Sequence, residues 1–140
     1  MQKLYKNPLT IVIFTIFLDA LGFGILIPIV PLLLADPNSS FYVLSKNVPV
    51  ETGYILLGLI TAIFPLMQLF STSILGQFSD KFGRKPILMY TLFITAASYA
   101  LFAFAIFIKN IPLLFFARAM AGIASGNLSV AQAAIADLSN

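Results

Sequence analysis

Four long apolar runs dominate the sequence: residues 8–34, 53–75, 86–108 and 111–136. Two of these runs carry no charge, and the others carry one each, Asp19 in the first and Arg118 in the fourth. A helix of about 20 apolar residues crosses about 30 Å of hydrocarbon. In lipid, only a helix satisfies its backbone hydrogen bonds within one segment. The runs therefore predict an all-α integral membrane protein with four transmembrane helices.

The composition excludes most classes of soluble protein. The chain is 60% hydrophobic and 9% charged, whereas a soluble domain is about 45–50% apolar and about 25% charged. Cysteine and histidine are absent from these 140 residues, so the sequence predicts no metal, no cofactor and no thiol or imidazole chemistry. Its few acids do not cluster as those of an enzyme do. Its basic residues are scattered between the apolar runs, which predicts membrane topology and no nucleic-acid partner.

Lysine and arginine in the connections predict how the helices are oriented. One side of the membrane collects five of them, and the other side collects two: Lys3, Lys6, Lys81, Arg84 and Lys85 against Lys46 and Lys109. Positive residues are enriched in cytoplasmic loops. We therefore expect a multi-pass protein of the cell membrane, in bacteria the inner membrane, with a cytoplasmic N-terminus, an inner loop at 76–85 and an outer loop at 35–52.

The first helix carries a carboxylate at membrane depth. An unpaired Asp19 is expensive there, so its default interpretation is functional. Gly22 and Gly24 predict the close approach of another helix. Pro28 and Pro31 each remove a backbone donor, which kinks the helix and frees two carbonyls. The alternative is that Asp19 reaches water at the inner surface.

Arg118 is the second charge inside an apolar run. Arginine keeps its proton, so it needs carbonyls, a carboxylate or water as partners. We expect the carbonyls of Gly24 and Ile27, freed by the prolines of helix one, to bond it directly, with Asp19 coupled to it through water. The alternative is an arginine that reaches the outer headgroups.

The C-terminal part of the fourth run is rich in small and polar residues. Gly122 and Gly126 form a small-xxx-small pattern that predicts close helix packing. Asn127 and Gln132 predict a polar lumen, with hydrogen bonding between helices as the alternative, and we place both on the translocation path. Three further polar residues are expected to serve in packing only: Gln68, Thr95 and Ser98.

The inner connection is the most specific segment of the sequence. Gly76 allows another helix to come close, and Gly83 allows a sharp reversal of the chain. Arg84 follows Asp80 by four residues, which is within reach for an ion pair. The run Gly76-x-x-x-Asp80-Lys-x-Gly83-Arg84-Lys85-Pro86 resembles the signature loop between helices two and three of major facilitator superfamily transporters.

Two further motifs extend this resemblance over nearly the whole chain. Arg118-x-x-x-Gly122 resembles the helix-four motif of the superfamily. Leu18-Asp19-Ala20-x-Gly22-x-Gly24-x-x-x-Pro28-x-x-Pro31 is similar to helix one of the tetracycline-resistance branch of drug:proton antiporters. The resemblance implies twelve helices in two six-helix halves. The chain would then form the start of the N-terminal bundle, with the C-terminal remainder of the same protein as its partner.

The resemblance also implies roles for single residues. Asp80, Arg84 and Asp137 occupy the positions of a charge relay that latches the inner side shut. Asp19 matches a carboxylate that influences transport, and Arg118 matches an arginine that tunes proton coupling. Ser98 stands where tetracycline pumps carry an acidic residue, and the 35–52 loop is longer than theirs, which leaves tetracycline itself open as the substrate.

The expected function is proton-coupled export of small amphipathic compounds by alternating access. One alternative is a complete small four-helix multidrug transporter, which has no need of the Asp80–Arg84 turn. Another is a major facilitator transporter for a non-drug metabolite. A purely structural four-helix protein has no reason to bury Asp19 and Arg118.

Overall fold

Five α-helices form the regular structure of the described residues. A computed structural model describes the backbone of residues 8–45 and 47–139, and the side chains of 13, 16, 17, 20–45 and 47–133. The helices are α1 (Pro8–Leu34), α2 (Val50–Phe82), α3 (Arg84–Phe107), α4 (Ile111–Ala124) and α5 (Asn127–Ser139).

Three stretches of the described chain are long and apolar enough to cross a membrane: Val50–Phe82, Arg84–Phe107 and Ile111–Ala133. The third stretch, called span four below, runs through α4 into α5. The described apolar part of α1, Ala20–Leu34, is shorter. The all-helical fold is therefore confirmed, whereas a fourth spanning helix at α1 stays a prediction.

The connection between α2 and α3, predicted to be cytoplasmic and called the inner turn below, is much tighter than the loop expected at 76–85. Helix α2 continues through the charged residues to Phe82, and α3 begins at Arg84. Gly83 alone separates them, with φ 91° and ψ 151°. A side chain rarely adopts this backbone conformation, so one glycine is enough to reverse the chain.

The fourth apolar run is interrupted, although the sequence predicts one helix over 111–136. Helix α4 ends at Ala124, α5 begins at Asn127, and Ser125 and Gly126 form the break. Helix α4 begins at a conventional cap, since Asn110 Oδ1 accepts the backbone N–H of Leu113 at 3.0 Å.

The connection between α1 and α2, predicted to lie on the outer side and called the outer connection below, belongs to the hydrophobic core. Tyr42, Val43 and Leu44 are buried against the outer ends of the helices, and the Val43 N–H donates to the carbonyl of Leu33 at 3.0 Å. They share one cluster with side chains from all four of the first helices, among them Leu34, Ile60, Phe102, Ala105 and Leu114. The polar loop predicted at 35–52 thus carries an apolar plug, and α2 begins at Val50.

Candidate translocation site

Arg118 is buried in the centre of the bundle. Its side chain is 2% exposed, and the guanidinium carbon lies 4.7 Å from the centroid of the Phe64 ring, over its face. Among the described residues, Nε and Nη1 have no hydrogen-bond partner. A stacked guanidinium whose donors have no partner in the described part of the chain can bind an acceptor.

The carbonyls expected to bond Arg118 are not its partners. Neither Nε nor Nη1 meets a carbonyl of the described part of α1, and Pro28 and Pro31 are both exposed. Arg118 instead stacks on an aromatic ring of α2. The side chain of Asp19 lies outside the described residues, so its predicted coupling to Arg118 stays a prediction.

A cleft of about 330 Å³ opens beside Phe64. It lies between α1, α2 and the break in span four, and its described lining comprises Ile16, Ala20, Phe23, Phe64, Pro65, Gln68, Ser125 and Leu128. The rings of Phe23 and Phe64 are tilted by 40° with centroids 5.6 Å apart. These described side chains are uncharged, and two of them, Gln68 and Ser125, are polar. The lining suits an amphipathic guest with few polar groups.

The small-xxx-small pattern of span four packs directly on α2. A Cβ added to Gly122 falls 2.5 Å from the Phe64 carbonyl oxygen, and one added to Gly126 falls within 2.9 Å of the backbone of Ser71 and Thr72. Side chains larger than hydrogen therefore do not fit at these two positions. The close packing follows the predicted face, and the partner helix is α2.

Hydrogen bonds from α2 reach the break in span four. Gln68 Nε2 donates to the Ser125 carbonyl at 3.3 Å, and Ser71 Oγ donates to the Ile123 carbonyl at 2.5 Å. The prediction that Gln68 serves in packing only is therefore incomplete, and Ser71 is missed altogether. A signal was available, because the two residues lie three apart and so share one face of α2.

The two amides predicted to line a polar lumen separate in the structure. Asn127 is fully buried, and its Nδ2 donates to Thr91 Oγ1 of α3 at 3.1 Å. This contact is a hydrogen bond between helices, the alternative to a polar lumen. Its Oδ1 has no partner among the described residues. Gln132 is exposed on the surface of the bundle.

The glycines of helix one have different surroundings. A Cβ at Gly22 collides with the phenol ring of Tyr99 from α3, whereas one at Gly24 meets no described residue within 4 Å. The close approach predicted for this segment therefore occurs at Gly22 only, and a side chain makes it. Two polar residues near Tyr99, Thr95 and Ser98, donate to carbonyls of their own helix, Thr91 and Thr95, at 2.9 and 2.7 Å.

The inner turn carries a partly buried arginine and an exposed aspartate. Arg84 Nη2 lies 4.0 Å from Asp80 Oδ1, and the two side chains are 27% and 74% exposed. Lys85 is exposed beside them, and Gly76 faces open space. The side chain of Asp137, the third predicted member of the relay, lies outside the described residues.

Comparison with known proteins identifies the family. Residues 12–140 match the family model of the Major Facilitator Superfamily, and the chain belongs to this superfamily of membrane transporters. It is 35% identical over 133 residues to the tetracycline resistance protein, class H, of Pasteurella multocida, covering 95% of this chain and 30% of that relative. The class E protein of Escherichia coli is 36% identical over 123 residues, covering 88% and 27%.

A further relative is not named for drug resistance. The human Major facilitator superfamily domain-containing protein 10 is 31% identical over an alignment of 153 positions, covering 95% of this chain and 32% of that protein. The chain spans about three-tenths of the length of these relatives. No solved structure matches it. The predicted likeness to the tetracycline-resistance branch is confirmed, and the chain is a multi-pass membrane protein of a transporter family.

Proposed function

We propose that the complete protein exports small amphipathic compounds in exchange for protons, by alternating access of two halves. The observation that carries this proposal is the buried guanidinium of Arg118, stacked on Phe64 beside a cleft whose described lining is uncharged, with two donors that have no partner among the described residues. A fixed cation at membrane depth marks a pathway rather than packing. The similarity to tetracycline resistance proteins supports export as the direction.

The coupling step that we propose uses Asp19 as the proton-binding partner of Arg118. An ionised carboxylate attracts a guanidinium much more strongly than a protonated one does. The uptake of one proton by Asp19 therefore weakens the electrostatic attraction between helix one and span four. The two charge states of the carboxylate then favour different arrangements of the bundle. Arginine suits this role because its own charge does not change. In this proposal Asn127 and Gln132 lie along the same path.

The inner turn would act as the latch. The pair Asp80–Arg84 forms one side of it, and Asp137 would complete the relay that closes the cytoplasmic side against the other half of the protein. This proposal places the N-terminus and the turn in the cytoplasm, in the inner membrane of a bacterium. It also takes α1 as a fourth spanning helix in a fold of twelve.

Substitution of Arg118 by lysine tests the proposed function. In everted vesicles that contain the full-length protein, we expect Arg118→Lys to lose at least about tenfold in proton-driven transport of tetracycline or ethidium, because a point charge does not replace the planar donor fork. Lys109→Arg, in the exposed hairpin between α3 and α4, is the matched control and should keep wild-type transport. Wild-type transport in Arg118→Lys would remove Arg118 from the coupling mechanism.

A transporter for a non-drug metabolite is the second candidate. Ser98 stands where tetracycline pumps carry an acid, and its buried hydroxyl bonds its own helix rather than the cleft. The human relative, whose name mentions no drug, supports the same alternative. Failure to transport both tetracycline and ethidium, with metabolite uptake or release driven by protons, would favour this candidate.

A further inference from the structure

The backbone hydrogen bonds of span four change their spacing at the break between α4 and α5. The Gly126 N–H donates to the Ile123 carbonyl at 3.4 Å, and the Leu128 N–H donates to the Ser125 carbonyl at 3.3 Å. Each of these bonds joins residues three apart, whereas an α-helix joins residues four apart. Both bonds are long, so the two carbonyls are weakly satisfied by their own helix.

Helix α2 supplies donors to the same two carbonyls. The Ser71 hydroxyl bonds Ile123 on the α4 side, and the Gln68 amide bonds Ser125 within the break. A third bond runs the other way, from Ser129 Oγ of α5 to the backbone of α2 at 3.3 Å. Helix α2 is therefore bonded to span four on both sides of the break.

We propose that Gln68 and Ser71 are positioning residues that keep span four in its interrupted form. The interruption fixes how α4, which carries Arg118, lies relative to α5. The first residue of α5 is Asn127, which bonds α3, so a change at the break moves α5 against α3 as well. The consequence for transport rests on the proposed function, whereas the shape of span four does not.

Gln68 differs from Ser71 in one respect. It lines the cleft, as does its acceptor residue Ser125, whereas Ser71 is not part of the described lining. The Gln68 amide has two hydrogens, and a guest in the cleft that accepts the one bonded to the Ser125 carbonyl competes with that carbonyl. Gln68 therefore connects occupancy of the cleft with the form of span four, and the class of guest is an amphipathic compound with a hydrogen-bond acceptor.

A distance measurement across the break tests the positioning role. Spin labels are placed in the full-length protein at Phe116→Cys in α4 and Gln132→Cys in α5, both at exposed positions. In an uninterrupted α-helix these positions would be about 24 Å apart. We expect Ser71→Ala to shift or broaden the distance distribution toward that value, and Gln68→Leu/Ser71→Ala to shift it further.

Ser73→Ala is the matched control, because this serine is exposed on the same helix, and it should keep the wild-type distances. Ser129→Ala removes the third bond, together with the bond from the same hydroxyl to the Gly126 carbonyl at 3.0 Å. It provides a second variant if a change in α2 prevents folding. Wild-type distances in the folded double variant, or in Ser129→Ala if the double variant does not fold, would overturn the proposal.

Transport kinetics distinguish the role of Gln68 from that of Ser71. With whichever of tetracycline and ethidium is exported, Ser71→Ala should change the maximal rate with an unchanged KM, while Gln68→Leu should change both. An unchanged KM in Gln68→Leu would remove the connection between cleft and break. If the wild-type protein exports neither probe, that connection and the export proposal fail together, and the distance measurement still decides the positioning role.

Discussion

The two ends of the helical bundle are built in opposite ways. At the outer end, the connection between α1 and α2 packs against the helices: the plug formed by Tyr42, Val43 and Leu44 fills the space between the helix ends. At the inner end, α2 and α3 meet at Gly83 alone, and Asp80, Lys85 and the ring of Phe82 are exposed. An end that is packed by its own loop needs no partner, whereas an end that exposes charges and rings beside a tight turn is suited to contact other chain segments.

The largest effect should follow a charge placed in the outer plug. Leu44→Asp buries a carboxylate without a partner, and we expect it to lower the free energy of unfolding by about 3–5 kcal/mol. The neighbouring Phe41→Asp is the matched control, because Phe41 is 64% exposed, and it should change stability by no more than about 0.5 kcal/mol. Thermal unfolding in detergent, followed by circular dichroism, measures both. Equal losses would show that the loop is no part of the core.

A smaller effect is expected at the inner turn. Gly83→Ala forces a side chain into a glycine conformation and should destabilise the protein by about 1–3 kcal/mol. Gly76→Ala lies in the same segment, within a helix and facing open space, and it should be neutral or stabilising by up to about 1 kcal/mol. The same melting experiment compares the two. If Gly83→Ala melts no lower than Gly76→Ala, the reversal does not depend on the positive φ.

The smallest effect on stability should come from the exposed ion pair. Asp80→Asn removes a surface contact of 4.0 Å and should change the free energy of unfolding by less than about 1 kcal/mol. Transport by the full-length protein should nevertheless fall several-fold if the latch role is correct. Glu51→Gln makes the same chemical change at the outer end, where Glu51 is exposed, and should leave transport unchanged. Similar transport in the two variants would contradict a special role for the inner end.

The sequence predicts what depends on local hydrophobicity and misses what depends on neighbours. The apolar runs predict the helices, because membrane depth demands apolar residues over a fixed length. They place the end of α2 too early, since the helix continues through Asp80 and Lys81 beyond its apolar part. The break at Ser125 and Gly126 is not predicted, because the donors that bond its carbonyls come from α2.

Within the candidate site, the sequence points to Arg118 but not to its contacts or to the described lining of the cleft. Arg118 stands out in the sequence because a permanent charge within an apolar run demands an explanation. Its stacking partner Phe64 does not stand out, since one phenylalanine among 14 carries no distinguishing signal. The sequence shows that residues 41–44 are apolar. Only the fold shows that three of their side chains, those of Tyr42, Val43 and Leu44, are buried.

The length of α2 has a mechanical consequence. With 33 residues this helix measures about 50 Å, about 20 Å more than the hydrocarbon layer is thick. If the helix stands close to upright, its end at Gly83 extends beyond the hydrocarbon layer. A slight tilt of the membrane-embedded part then moves the Gly83 hairpin sideways by a larger distance than the embedded part itself. Small rearrangements around the Phe64 ring would then produce larger displacements at the C-terminal end of α2.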